Sequence, residues 1–422
     1  MKIIIYIIVT ILSIFNLSYS QNPEWRIFNT SNSNITDNTI TAISIDSSNH
    51  IWIGNSSGEI NFFNGTNWNF YTIDNKYIIY DIKTDLTGMV WIGSQNGLSK
   101  YDGNEWKLFN SGNSGLPYDR IYSLEIDKEN NIWLGLWDNT IVKYDRETWQ
   151  KYRNDSLSIW QDSGVLKVDD SNNIWIGYYD DYSEDDGFGI IAKFDGISWI
   201  NYTPSNSEFP VSQGIYSLAI GKEQIMWIGT SFDLVKYDDT TWTVFNTSNS
   251  GLPNNSVEAI AIDENDVKWI GTRGGLAKFD DTSWTVWNTD NSDLPSNWII
   301  CIVIDKYGNK WIGTDNGLAV FREGGVVGVE EPAKSNRGWF SFYSNPAEDI
   351  IKFRFHSIIE NDVKISLSNY MGNTVKEYNL NSEQLQKTNE TELDVSDLPS
   401  GIYFATIRAG GQVVTEKFLI LR

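Results

Sequence analysis

Apolar positions recur in one fixed figure from residue 40 to residue 321. Almost every copy begins with apolar residues 12, 9 and 7 positions ahead of a tryptophan, as Ile215, Leu218 and Ile220 before Trp227 or Ile299, Ile302 and Ile304 before Trp311. The last two alternate as a half-buried strand does. The tryptophan opens the triplet Trp-Ile/Leu-Gly at Trp52, Trp91, Trp133, Trp175, Trp227, Trp269 and Trp311. Apolar residues flank it on both sides, which marks a strand covered on both faces. Six positions ahead of it stands Asp46, Asp85, Asp127, Asp169, Asp263 or Asp305, with Gly221 the one exception. Each opens a polar stretch with the chemistry of an Asx-type hairpin turn.

After the glycine come a short polar loop and a third strand, as Gly97-Leu98-Ser99-Lys100-Tyr101, closed by turns such as Asp102-Gly103 or Asp195-Gly196. A second tryptophan (Trp68, Trp106, Trp149, Trp199, Trp242 or Trp284) lies on a fourth strand. Successive triplet tryptophans are 39, 42, 42, 52, 42 and 42 residues apart. Four antiparallel strands in about 42 residues is the size of a β-propeller blade. The seventh copy has no second tryptophan after it. Trp25-Arg26-Ile27-Phe28-Asn29-Thr30 is a fourth-strand sequence without a first three, and it precedes Trp52 by 27 residues, the gap from Trp242 to Trp269. The N-terminal strand therefore completes the last blade, and the prediction is an all-β, seven-bladed β-propeller over residues 21–322. The triplet tryptophans read as core between blades.

The period breaks at the Gly-rich, charged stretch 323–338, read as a linker. From 339 to 422 short alternating strands follow, marked by Ile351/Phe353/Phe355, Val363/Ile365/Leu367, Ile402/Phe404 and Phe418/Ile420, with turn chemistry between them. A small C-terminal β-sandwich is the natural packing.

The repeat, with Gly275-Leu276-Ala277-Lys278-Phe279-Asp280 and Asn249-Ser250-Gly251-Leu252-Pro253, resembles the two-component regulator propeller repeat. That repeat builds sensor ectodomains of bacterial hybrid histidine kinases, several of which recognise glycans; here no kinase follows. The tail resembles the type A C-terminal sorting domain of the type IX secretion system. It does so through Asn345-Pro346-Ala347, Met371-Gly372-Asn373, the run Leu393 to Phe404 and the closing Lys417-Phe418-Leu419-Ile420-Leu421-Arg422. Ser344 stands where that family usually has proline. The resemblance implies passage through an outer membrane, removal of the tail by a sortase-like enzyme, and a mature protein that is surface-attached or released. The secretion machinery and its sortase are then the implied partners.

The N-terminus fits an exported protein. Lys2, an apolar run from Ile3 to Leu17 and Ser18-Tyr19-Ser20 before Gln21 read as a signal peptide (residues 1–20) cut between Ser20 and Gln21. No transmembrane segment is expected after its removal. A single cysteine, Cys301, means no intramolecular disulfide. The formal charge of −23 disfavours nucleic acid as a partner, since its binders need a basic stripe.

Chemistry is sparse. The chain has two histidines: His50 falls in a turn and His356 in the tail. Histidine-based triads and zinc sites are therefore disfavoured, and no cofactor is implied. Cys301 takes the place of Ala42, Ser123 and Ala259 in other copies, so it reads as an inert packed thiol. The one long copy carries an insert after Gly177 with Asp180, Asp181, Glu184, Asp185 and Asp186. Five carboxylates could hold a hard cation, but a solvated acidic loop is the plainer reading.

Function should lie where the copies differ. Two residues past each triplet glycine stand Ser56, Gln95, Trp137, Tyr179, Ser231, Arg273 and Asp315. In a propeller these loops and the blade-to-blade loops rim the channel on one face. The candidate ligand residues are therefore Gln95, Trp137, Tyr179, Phe232, Arg273 and Asp315, suited to a glycan or protein by ring stacking and bidentate hydrogen bonds. The leading reading is a non-catalytic exported binding module. The alternative is a secreted polysaccharide lyase or hydrolase, using rim acids such as Asp138 and Asp315.

Overall fold

A computed structural model describes residues 23–422 except 73–76, 137–138, 158–161, 180–188, 211–213, 330–339, 344–346, 348, 356–361, 371, 383–384, 386–389, 410–411 and 421–422. Signal cleavage at Ser20 and Gln21 lies outside the described residues, as do Trp137, Asp138 and the acidic insert.

Seven four-stranded antiparallel sheets form the blades, at 40–72, 79–109, 121–153, 162–202, 215–245, 257–287, and 299–321 with 25–28. They are numbered 1 to 7 in that order. The first strands of neighbouring blades touch in a closed circle, so they surround the axis. Blade 7 is completed by Trp25–Phe28, which pairs with the third strand in the register Trp25 to Phe321 and Phe28 to Leu318. Residues that follow the ring brace this seam. Val326 N–H donates to Pro23 O at 3.0 Å, and Val326 and Val329 are buried beside Ile35, Ile40 and Phe63.

Every element of the triplet has a packing reason. The tryptophan strands are buried on both faces. The glycine permits blade contact: a Cβ on Gly54 would lie 2.5 Å from the Ile79 side chain of the next blade, and one on Gly271 would lie 2.5 Å from Ile299. The lysine of the third strand sits over the tryptophan ring, as Lys193 does 4.9 Å above Trp175, a cation–π contact. Six of the second tryptophans stack on the aromatic that ends the third strand, as Trp149 on Tyr144 and Trp242 on Tyr237 at 4.0 Å, and Trp68 lies tilted on Phe63.

The turn aspartates do two jobs at once. One oxygen of Asp305 accepts the Asn309 N–H at 3.0 Å to close the turn, and the other accepts Trp311 Nε1–H at 2.9 Å. Six blades repeat the bond to tryptophan. Asp85 also takes Arg146 Nη2–H at 2.8 Å. Burial alone would push its carboxyl up, but hydrogen bonds from Thr87, Trp91 and Arg146 hold it below the usual range. In blade 5, where Gly221 replaces the aspartate, Trp227 Nε1 is buried and meets no partner among the described residues. Lys268 covers that ring at 5.0 Å instead.

A belt of hydrogen bonds links the same turns around the far face. Asn49, Asn130, Asn172, Gln224 and Asp266, all at positive φ, each accept a backbone N–H from the preceding blade, at 2.9 to 3.4 Å. In blades 2 and 7 the position is Gly88 and Gly308, at φ 85° and 78°, with open space around a built Cβ. Asparagine tolerates this backbone region best among side-chain residues. Gly88→Asn with Gly308→Asn should complete the belt and raise stability by about 0.5–1 kcal/mol per site, read from urea midpoints.

In the tail, three strands (Phe340–Tyr343, Ile350–Phe355, Glu390–Asp394) form one sheet and four (Thr374–Leu380, Val363–Asn369, Gly401–Ala409, Gln412–Ile420) another. They share a core that includes Ile351, Phe353, Ile365, Leu367, Ala405 and Phe418, which is the β-sandwich expected. Tyr403 Oη–H donates to Pro399 O at 2.9 Å, pinning the Pro-Ser-Gly turn to the strand it starts.

Candidate ligand-binding site at the channel mouth

The first strand of every blade carries a bulge near its start, after the first residue or, in blade 4, the second. The unpaired residue is Thr41, Tyr80, Tyr122, Gly164, Tyr216, Glu258 or Ile300. A bulge re-aims a side chain away from the regular ladder. Just ahead of each strand lies a second set that includes Thr39, Ile78, Arg120, Gly214, Ser256 and Trp298. The loops past the triplet glycine lie alongside: Ser56 N–H donates to Thr39 O at 3.2 Å, Ser231 to Gly214 at 3.1 Å and Arg273 to Ser256 at 3.4 Å. The mouth is thus built of three neighbouring sets of residues, of which the triplet spacing had pointed to one.

Side chains gather in two places. Tyr80 and Tyr122 approach with ring centroids 5.5 Å apart, and Arg120 Nη1–H donates to Tyr122 Oη at 3.3 Å. Across blades 6 and 7, Arg273 Nε–H donates to Glu258 Oε1 at 2.7 Å, and its guanidinium lies 4.9 Å over the Trp298 ring. Ser256 Oγ–H donates to the same Glu258 oxygen at 2.7 Å.

Of the predicted residues, Arg273 joins the second cluster. Phe232 is 46% exposed on blade 5, beside the half-buried Asp233, whose carboxyl burial pushes up. Asp315 is exposed on blade 7, and Gln95 is half-buried on blade 2. Tyr179 pairs through its backbone with Asp162. The structure therefore spreads these residues around the ring rather than converging them on one point. Tyr80, Tyr122, Tyr216, Glu258, Arg120 and Trp298 are not among the positions that the triplet spacing points to. The signal was present: the apolar positions 12 and 9 before each tryptophan are three apart, the spacing a bulge leaves in an alternating strand.

Deeper in, the channel wall is uneven. Lys83 Nζ lies 3.3 Å from Asp81 Oδ1 and 3.9 Å from Glu125 Oε2, which Lys167 Nζ approaches at 3.5 Å. Burial works against the Lys83 charge, but the two carboxylates outweigh it and raise its pKa. Asp81 Oδ2 also accepts Leu124 N–H of the next blade at 2.8 Å, and Ser123 Oγ accepts Leu166 N–H at 2.9 Å. In blades 5 to 7 and 1 the matching residues are Ala219, Ala261, Val303 and Ser44. Cys301 pairs with Gly313 at the packed position expected, and burial pushes its thiol up to about 12. A thiol so raised is no nucleophile near neutrality. His50 is held in its turn by Asp46 at 3.0 Å, on the face opposite the mouth. Among the described residues no group of three His, Cys, Asp or Glu side chains could hold a metal ion.

Residues 115–138 and 293–316 match the two component regulator propeller model, and residues 341–421 match the secretion system C-terminal sorting domain. The chain carries two-component-regulator propeller repeats and a secretion sorting tail. That tail marks it for export to the cell surface or the extracellular space. Among the described residues no helix is long and apolar enough to cross a membrane.

Solved structures show the same fold at low identity. PorZ of Porphyromonas gingivalis, described as an essential surface component of its type-IX secretion system, superposes with TM-score 0.59 at 16% identity, over 94% of this chain and 61% of its own. The extracellular domain of a putative hybrid two component system from B. thetaiotaomicron gives 0.59 at 18%, over 94% and 57%. This chain thus spans about three fifths of the length of each. A virginiamycin B lyase from Staphylococcus aureus, in a catalytically inactive histidine variant with quinupristin, gives 0.58 at 14%, over 71% and 99%. No curated protein matches the chain.

Proposed function

We propose that the exported propeller is a non-catalytic binding module that takes a glycan or protein ligand at its channel mouth. The observation that carries this reading is where the copies stop repeating. Strands, turn aspartates and tryptophans recur around the ring, while the three sets of mouth residues change from blade to blade. Those changes introduce rings and guanidinium groups, the side chains that dominate binding surfaces. The enzyme alternative draws on the lyase likeness, which is a likeness of fold. The inactive variant of that lyase lacks a histidine, whereas His50 here is committed to a turn on the other face.

The test is to screen the mature propeller against glycan and peptide arrays, with product assays on the same polysaccharides. Tyr122→Ala combined with Tyr216→Ala should weaken the ligand found by about 30-fold or more, the roughly 2 kcal/mol scale of an aromatic anchor. Binding untouched by the pair would move the site off the mouth. New reducing ends or unsaturated products would replace the binding reading with the enzymatic one.

A further inference from the structure

We propose that the Arg273–Trp298 corner of the mouth is a saccharide subsite, and that it takes an uncharged sugar rather than an acidic one. The inference rests on the mouth being a ligand site, and goes on to name a place and a ligand charge. Trp298 is 39% exposed, the one exposed tryptophan among the described residues. Its ring is held by the Arg273 guanidinium at 4.9 Å, and that guanidinium is fixed in turn through Nε–H to Glu258 at 2.7 Å. The arginine side chain is still 51% exposed, and its terminal nitrogens meet no acceptor among the described residues. Asp315 follows Thr314, the ladder partner of Ile299, so it stands at the same end of blade 7 as Trp298. The corner therefore offers a flat apolar surface, a pre-oriented pair of N–H donors and an exposed carboxylate acceptor. A sugar ring meets all three, with C–H groups on the indole and hydroxyls that both donate and accept.

Charge decides between sugar classes. Glu258 already neutralises Arg273, and Asp315 adds an exposed negative charge at the same end of blade 7 as Trp298. Asp290 and Asp293, on the loop leading to Trp298, are exposed as well. A uronate would enter a corner of net negative charge on a chain of formal charge −23. Its repulsion would be screened within about 10 Å at 0.1 M salt. An uncharged sugar meets no such field, so its affinity should not depend on salt.

The experiment titrates the mature propeller with cello-, malto-, xylo- and mannohexaose and with hexagalacturonate, at 0.05 and 0.5 M NaCl. The expected result is binding of at least one uncharged hexasaccharide with Kd constant within about twofold between the two salts. Trp298→Ala and Arg273→Lys, both at exposed positions, should each weaken it at least tenfold with unchanged melting temperature. Lysine keeps the charge but loses the planar fork, so it separates geometry from charge. Preference for hexagalacturonate, binding that survives both substitutions, or no binding to any of the five would overturn the inference. A peptide ligand lost on Tyr122→Ala with Tyr216→Ala, and indifferent to Trp298→Ala, would overturn it while leaving the binding-module reading intact.

Discussion

Replacing Trp311 by alanine should lower the unfolding free energy of the propeller by about 3–5 kcal/mol. The side chain is 1% exposed and sits where blade 7 meets blade 1, in one cluster with Ile40, Ile43 and Phe63. Its ring centroid is 5.7 Å from that of Phe63. The surrounding strands are held in ladders on both sides, so the site cannot collapse to refill the void, which sets the loss at the upper end of such changes. The indole N–H adds a second loss, because Asp305 keeps a buried oxygen that no longer has its donor. Trp311→Phe separates the two: it retains most of the volume and loses the hydrogen bond, for an expected 1–3 kcal/mol or about that. Urea midpoints of the two variants measure both terms. A loss below about 1 kcal/mol for the alanine variant would show that this interface does not limit the ring's stability.

Deleting residues 23–28 from the mature chain should be at least as damaging. Phe28 is 3% exposed and lies 5.2 Å from Trp68 and 6.0 Å from Phe63, so the short strand binds blade 7 to blade 1. Trp25 stacks on Phe321 at 4.3 Å. Losing two such side chains is worth several kcal/mol, against a total stability on the order of 5–15 kcal/mol for a folded domain. The deletion also leaves the third strand of blade 7 as an open edge, ready to pair with another chain. The expected outcome is a chain that melts at least 10 °C lower, or self-associates on a sizing column, with partial rescue by a peptide of residues 22–30. A monomer with unchanged melting would mean that the ring holds without its closing strand.

Blade number, strand order and closure were legible in the sequence because each rests on a repeated constraint. Tryptophan between blades, glycine against the neighbouring isoleucine and aspartate in the turn recur often enough to be counted. The aspartate-to-indole bond was hidden, since a spacing of six residues suggests a turn and says nothing of which oxygen faces the ring. Gly221 was visible as an exception, but its consequence, a buried Trp227 N–H that meets no partner among the described residues, depends on packing that spacing does not reveal. The mouth was half legible. Differences at Arg273 and Phe232 stood out against the repeat. Tyr122 did not, because a bulge shifts a residue out of the ladder without changing the count of residues between tryptophans, and Trp298 did not, because it stands just ahead of the first strand, outside the repeated figure. Which of these residues meet is a matter of neighbouring blades, and one copy read alone cannot show it.

The closing strand also makes the starting point of the chain a matter of convention. Phe28 and Phe321 belong to one sheet, so the covalent break in the ring falls between two hydrogen-bonded strands of blade 7. A circular permutant that begins at Ile40 and carries Trp25–Phe28 after Phe321 would draw the same seven sheets, with every blade made from one continuous stretch. The natural order instead staples the first strand of the ring to the last, and turns the two ends of an open array into a clasp.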